Sequence, residues 1–402
     1  MVSLFGYAFR YLGKEREHGL KTVYAALILL SFHWSLVVYV NSSYLGQFFS
    51  PSTVGAFYTI GAVLSLIPYV AMSRFLRRIG NYKLTVLLCL LEIVAVLGMA
   101  VTPFPLLAVA LFLIHFIVVP LLLFNIDILM ETIIGAKEQQ TGSSRGLFLA
   151  LLSLSACIAP IASGQLVHQG AQLPFAMVYI ASAFLLLPFI AIFVLYFKSF
   201  KDPEYVSDRL SAILGVLFSS KGIRNVFFVQ LHLQFFFAWM QIYTPLFLAQ
   251  SAGFSWIEIG YIIAFSQIAY VIFEYPIGIV ADKYIGEKEM MAFGFFLIAI
   301  STSWLSYLPN GAIIPWMITM FLTRVGASFI EATSESYFFK HTRGSDSHKI
   351  SLFRMARPLG AVAAALLGTI VLMHSEFSFF FIILALLTVP GIFYTLVLKD
   401  TK

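Results

Sequence analysis

Arg324 is the one lysine or arginine near the centre of a long apolar run, and its polar neighbours recur with helical spacing. Arg324, Ser328, Glu331 and Glu335 stand at i, i+4, i+7 and i+11, which is one face of a helix. The run that begins at Ile223 repeats the arrangement with Gln230, Gln234, Phe237 and Gln241, while His232, Trp239 and Tyr243 line the adjacent strip. A further run carries His33, Trp34 and Asn41, and another carries Gln267 and Glu274. A guanidinium can bind an anion and amides can fix its orientation, so the chemistry on offer is recognition. The same groups also serve packing: amides hydrogen-bond across buried helices, aromatic rings fill cores, and Arg324 can neutralise Glu331.

Ionisable groups inside a membrane cost several kcal/mol at its centre, which makes each of them a functional candidate. Glu274 and Asp127, and after them Glu92, are the carboxylates that could take up and release a proton as a cavity opens to alternate sides. Glu92 stands almost at the middle of its run, between Leu91 and Ile93, and is expected to be protonated or paired. His33 and His232 read more readily as satisfied core histidines than as proton carriers. Two acidic pairs, Asp127 with Glu131 and Glu331 with Glu335, face Arg145, Arg343, Arg354 and Arg357 near the ends of their runs. They could latch a gate shut or act as static helix-end pairs.

The elements that position these groups are membrane spans. Of 402 residues, 60% are hydrophobic and only 11% charged, against about 25% in a soluble domain. The mean hydropathy is +0.92. Runs of about 18 or more apolar residues, long enough to cross a bilayer, recur throughout. Twelve are placed: Lys21 to Tyr44, Ser52 to Phe75, Tyr82 to Val101, Pro105 to Glu131, Arg145 to Val167, Leu173 to Phe197, Ile223 to Ala249, Trp256 to Ala281, Glu289 to Tyr307, Ala312 to Phe338, Ser351 to Met373 and Phe377 to Leu398. The net charge of +6 does not point to nucleic acid, because lysine and arginine crowd alternate loops. That is the positive-inside pattern, and it predicts an integral multi-pass protein of the plasma membrane with both termini cytoplasmic. Arg10, Lys14 and Arg16 precede the first run without a cleavage-type ending, as expected of an uncleaved leader. Cys89 and Cys157 both fall in apolar runs and suggest no disulfide.

The one long polar segment, Lys198 to about Arg224, divides the chain into residues 1–197 and 223–402, with 198–222 as a cytoplasmic linker. Leu210, Ile213, Leu214 and Leu217 in it recur at helical spacing, as a short surface helix would. The halves resemble each other at an offset of 205 to 204: Trp34 with Trp239, the stretch from Phe49 with that from Phe254, Leu147–Phe148 with Leu352–Phe353, and Asp127 and Glu131 with Glu331 and Glu335. The fold class expected is therefore all-α, with twelve transmembrane helices in two pseudo-symmetric six-helix bundles.

Between two of the runs lies EYPIGIVADKYIGEK, Glu274 to Lys288. Its Gly278, Asp282, Lys283 and Gly286 match the loop signature of the major facilitator superfamily, which the chain resembles along its whole length in architecture. In the first-half copy Ser73, Arg77 and Arg78 stand where Gly278, Asp282 and Lys283 stand in the second, so its carboxylate is lost. The stretch SACIAPIASG, Ser155 to Gly164, is similar to the small-residue pattern of family antiporters, with Ala159 and Ser163 in place of glycines, and implies export. The resemblance implies that the first, fourth, seventh and tenth spans line a central cavity, which puts Trp34, Gln234, Gln241 and Arg324, with Gln230 on the same stripe, at a substrate site. It also implies gating by Gly278, Asp282 and Lys283, with Asp282 capping the fifth span near Ser143 and Ser144, alongside Glu131, Arg145, Glu331, Glu335 and Arg354.

An intramembrane enzyme would need a nucleophile with its base or a metal cluster, yet the chain has no HExxH, no GxSxG and no GxxxxGK[ST] phosphate loop. The reading is a secondary active transporter of a small organic solute, coupled to a proton or another ion. It is expected to be a monomer in lipid, with no cofactor, no metal and no nucleic-acid partner. A non-transporting scaffold or sensor of the same fold is the alternative.

Overall fold

Apolar runs this long fold as helices because a helix satisfies every backbone N–H and C=O internally, which hydrocarbon cannot do. A computed structural model of the chain describes residues 14–134, 138–168, 171–205, 210–283, 286–341, 347–375 and 377–399, with the backbone alone at some helical positions. Its helices are α1 (Lys14–Val37), α2 (Asn41–Leu45), α3 (Pro51–Ile79), α4 (Asn81–Val101), α5 (Pro105–Ile134), α6 (Glu138–Leu166), α7 (Ala176–Tyr196) and α8 (Leu210–Ser219). They continue as α9 (Lys221–Gln250), α10 (Trp256–Lys283), α11 (Glu287–Leu305), α12 (Ile313–Lys340), α13 (Ser347–His374), α14 (Phe380–Thr388) and α15 (Pro390–Leu396). Among the described residues, nine helices are long and apolar enough to cross a membrane. The short helix expected in the linker is α8.

Two expected spans are not continuous. The first breaks after Val37 and resumes as α2 at Asn41, where Asn41, Ser42 and Ser43 are weaker helix formers than the leucines and alanines before them. The last is a 3-10 turn, Phe377–Phe379, followed by α14 and α15. Pro390 is the first residue of α15 and lacks the N–H that would carry α14 onward. Elsewhere, prolines at 68, 120, 160, 188, 245, 276 and 358 lie inside helices without ending them, as membrane helices tolerate.

The chain resolves into two compact units, Met1–Val40 with Ile67–Ser207, and Asn41–Leu66 with Asp208–Lys402. The first unit packs Leu20, Val23, Leu27 and Leu30 of α1 against Leu122, Ile126 and Met130 of α5 and Leu186, Phe189 and Phe193 of α7. Polar side chains stitch α4 to α5: Asn81 Nδ2 donates to the Asn125 carbonyl at 3.1 Å, and Asn125 Nδ2 donates to Thr85 Oγ1 at 2.8 Å. At the start of α4, Gly80 holds φ 81°, and the linker residue Asp202 accepts the Asn81 backbone N–H at 2.9 Å. Tyr205 donates its hydroxyl to the same Asp202 oxygen at 2.5 Å. The acid therefore caps a helix whose own N-cap, a glycine, has no side chain to do so.

In the second unit α11 packs on α12, α12 on α10 and α9 on α13. Its core is aromatic: Trp239 lies 4.5 Å from Phe380 and 5.7 Å from Tyr243, and Trp316 lies 5.6 Å from Phe247, centroid to centroid. Two glycines set the spacing of α11 and α12. A Cβ on Gly294 would stand 2.6 Å from the Gly326 carbonyl oxygen, and one on Gly326 would stand 2.7 Å from that of Gly294. Ser255 and Glu258 start α10 as a reciprocal capping box: Glu258 Oε2 accepts the Ser255 N–H at 2.8 Å, and Ser255 Oγ accepts the Glu258 N–H at 3.3 Å.

Candidate functional site

Helical periodicity places Arg324, Ser328, Glu331 and Glu335 on one face of α12, and tertiary packing turns that face inward. Arg324 is 2% exposed, and its Nε has no hydrogen-bond partner among the described residues. Its guanidinium carbon lies 5.5 Å from the ring centroid of Phe236 and 5.9 Å from that of Phe237, both on α9. Aromatic faces attract the cation without satisfying its N–H groups. This is a guanidinium held ready for an acceptor.

The acids of the second unit gather around the same helix. Glu274 of α10 and Glu335 of α12 repel one another, and the charges of Glu274, Glu335, Arg357 and Arg324 all reach Glu331. Glu274 and Glu331 were candidates from the sequence for separate tasks, coupling and gating. The fold brings them together because the stretch of α10 around Glu274 packs along α12, with Phe273 and Ile277 in one cluster with Phe329 and Ala332. From α9, Gln230 is buried and its side-chain oxygen accepts the Ser334 hydroxyl at 3.0 Å. Gln234 and Gln241 are half-buried on α9, and Arg354 is half-buried on α13. Gln230, Gln234, Gln241, Arg324, Glu274, Glu331, Glu335 and Arg354 thus all belong to the second unit. His232 Nδ1 donates to the Phe228 carbonyl of its own helix at 2.8 Å, and its ring packs on Tyr394.

Trp34, Glu92 and Asp127 belong to the first unit. Trp34 and Asp127 are half-buried, whereas Glu92 is fully buried. Glu92 Oε1 is approached by His33 Nε2 at 3.1 Å and, more closely, by His115 Nδ1. That grouping was not legible from spacing, because its members come from α1, α4 and α5; the only hint was three ionisable groups in the interior of apolar runs. Of the gating candidates, Gly278, Asp282 and Lys283 lie in α10, Glu131 in α5 and Arg145 in α6, with side chains outside the described residues. Arg343 and the side chains of Ser143, Ser144, Ile213 and Ser73 also lie outside them. Glu287, missed in the sequence, is fully buried at the start of α11 and accepts the Ser336 hydroxyl at 3.3 Å.

A family model described as Major Facilitator Superfamily matches residues 226–402, the stretch that holds the Arg324 face and its acids. Residues 226–402 are therefore similar to the major facilitator superfamily. Solved structures of similar fold extend over most of the chain. A point mutant of the nucleoside transporter NupG superposes with a TM-score of 0.74 at 13% identity, covering 94% of this chain and 99% of that one. The NupG structure without that mutation gives 0.71 at 14% identity over 94% and 98%. A structure described as giving insights into substrate recognition in proton dependent oligopeptide transporters gives 0.73 at 14% over 94% and 98%. At such identities the likeness shows the fold alone. No curated protein matches the sequence. The family match and the nine apolar helices support an integral multi-pass membrane protein and point to a secondary transporter of a small molecule, not to an enzyme.

Proposed function

We propose that this transporter moves a small organic solute bearing an acidic group by alternating access around a midplane site, with proton coupling. In this reading twelve spans form two six-helix bundles, residues 1–197 and 223–402, joined by the linker 198–222, with both termini in the cytoplasm of a cell whose plasma membrane holds the protein as a monomer. Rocking of one bundle against the other exposes the site to each side in turn. The observation that carries the reading is Arg324, buried, stacked among phenylalanines and short of an acceptor at Nε. Gln234 and Gln241 of the half-buried α9 stripe, with Gln230, orient the solute, and Trp34 supplies an aromatic wall from the other bundle.

Coupling follows from charge balance. Glu331 lies in the field of Glu274, Glu335, Arg324 and Arg357, with Arg354 on the same helix as the last. Three carboxylates and three guanidinium groups are balanced, and a solute carboxylate bound to Arg324 adds a negative charge to a buried region. A proton on one of the carboxylates, Glu274 first, restores neutrality, so solute and proton move together. Asp127 is the corresponding acid of the first half. The end of α10 with Gly278, Asp282 and Lys283 then works with Glu131, Arg145 and the Glu335–Arg354 region as the cytoplasmic gate. Export is the direction suggested by the small-residue stretch of α6.

The test is a thermal-shift screen of the purified chain against organic acids, nucleosides and short peptides, the last two being the solute classes that the similar structures' descriptions print. A ligand of the folded state raises its melting temperature by mass action. The expected result is a shift with an acidic solute that Arg324→Gln abolishes, and flux of that solute in proteoliposomes driven by a pH gradient. A shift untouched by Arg324→Gln would overturn the site, and binding without flux would favour a scaffold or sensor.

A further inference from the structure

His33, Glu92 and His115 form a second polar centre, inside the first unit and unused by the transport reading. Behind His33 lies Ser182 of α7. The Ser182 hydroxyl donates to the His33 backbone carbonyl at 3.1 Å, while His33 Nδ1 lies 2.7 Å from that hydroxyl oxygen and 3.1 Å from the Ser182 carbonyl oxygen. A carbonyl only accepts, so Nδ1 carries the ring hydrogen. In the neutral ring Nε2 is then a lone pair, and it points at Glu92 Oε1 from 3.1 Å. Two electron-rich atoms in that position require something positive between them. His115 Nδ1 is turned on the same oxygen, and the ligand atoms of all three residues lie within 4.8 Å of one another. Their side chains are 0%, 0% and 3% exposed.

A proton on Nε2 would answer only part of this. It leaves Glu92 Oε2 buried with no partner among the described residues, and an unmet buried polar atom is expensive. A divalent metal ion uses every atom: two imidazole nitrogens and both carboxylate oxygens. Two histidines and one carboxylate are a recognised set for zinc and neighbouring transition metals. Magnesium and calcium, which want six or more oxygens, do not fit. The hydrogen bond from Nδ1 to the Ser182 carbonyl is the kind that fixes the tautomer of a ligating histidine and makes its other nitrogen more basic. It also spreads the one net positive charge left by the ion and a single carboxylate. Cys89, one turn before Glu92 on α4, is turned to the Leu186 carbonyl at 3.9 Å and stays outside the set. We propose that the first unit binds one zinc-type divalent ion through His33 Nε2, His115 Nδ1 and the Glu92 carboxylate. The ion ties α1, α4 and α5 together, is captured as those helices close, and exchanges slowly because its ligands are shut from solvent.

The full chain, expressed in zinc-supplemented cells and purified in detergent without chelator, tests this by elemental analysis. About one zinc per chain is expected in the wild type and in Cys89→Ser, and at least about tenfold less in Glu92→Gln and His115→Gln. If those variants fail to fold, wild-type protein from cobalt-supplemented cells carries the test. It should show ligand-field absorption of a nitrogen and oxygen site without thiolate charge-transfer bands. Wild-type metal content no higher than in the variants, or cobalt-grown protein without such bands, would overturn the site and leave a shared proton as what holds the three side chains together. Neither readout depends on transport.

Discussion

Replacing Gly326 with alanine places a methyl group between the backbones of α11 and α12. Its Cβ would lie 2.7 Å from the Gly294 carbonyl oxygen and 3.0 Å from the Ile298 nitrogen. Ordinary contact begins near 3.4 Å, so the helices must part by about 0.7 Å, and neither obstructing atom belongs to a side chain that could rotate away. Overpacking of this kind costs about 1–3 kcal/mol, offset by up to about 1 kcal/mol because alanine is the better helix former. Because backbone atoms obstruct, the cost falls in the upper part of that range, and the net loss of about 1–2 kcal/mol should lower the melting temperature by about 2–8 °C for a unit of roughly 200 residues. Thermal unfolding of the purified chain in detergent measures it, with Gly215→Ala as the control. Gly215 lies in α8 with nothing within 4 Å of a built Cβ, so alanine there should leave stability unchanged or raise it slightly. Gly294→Ala should resemble Gly326→Ala, and the double variant should lose less than the sum, since the first methyl already parts the helices. A Gly326→Ala protein that melts with or above the wild type would refute the contact.

Other changes have equally definite outcomes. Glu274→Gln should end uphill, proton-driven flux while sparing exchange of solute across the membrane; undiminished accumulation against a gradient would remove Glu274 from coupling. Asp202→Ala should weaken the cap on α4 by about 1 kcal/mol, seen as faster hydrogen exchange at the Asn81 amide. No change in exchange would mean that the linker does not hold α4. The Tyr205 phenol is raised above its ordinary value by burial and then by its bond to Asp202. A raised acid favours the folded state while protonated, so its contribution is complete below about pH 10 and is lost as pH rises through the higher folded value. Protease sensitivity of the linker should therefore stay flat to about pH 10 in the wild type, and a rise near neutrality would contradict the contact.

Where the helices lie was legible because apolar length and polar punctuation are local properties. Tyr82 to Val101 is found as Asn81–Val101, and Trp256 to Ala281 as Trp256–Lys283. The interruption at Pro390 was available too, since proline cannot donate to the preceding turn, but continuous hydrophobicity around it outweighed the signal. The α12 face was legible from its period. Its partners were not: Glu274 joins Glu331 and Glu335 only through the packing of α10 on α12, and nothing in spacing distinguishes that pairing from others. The same holds for Glu92, whose histidines are 59 and 23 residues away. The carboxylate missing from the first-half loop had a comparable explanation in space, since Asp202 of the linker reaches Asn81 across 121 residues of sequence.

The indole rings are unevenly shared between the two units. Trp34 is in the first, whereas Trp239, Trp256, Trp304 and Trp316 are in the second, two of them with no solvent exposure. Ultraviolet-excited emission is therefore close to a private signal of one unit, and Trp34→Phe would make it wholly so. Circular dichroism, in contrast, registers every helix alike. Followed together through a denaturant series, the two signals coincide if the protein comes apart in a single step and separate if its units melt at different points. The chain thus carries its own optical reporter of whether its two units come apart together or one at a time.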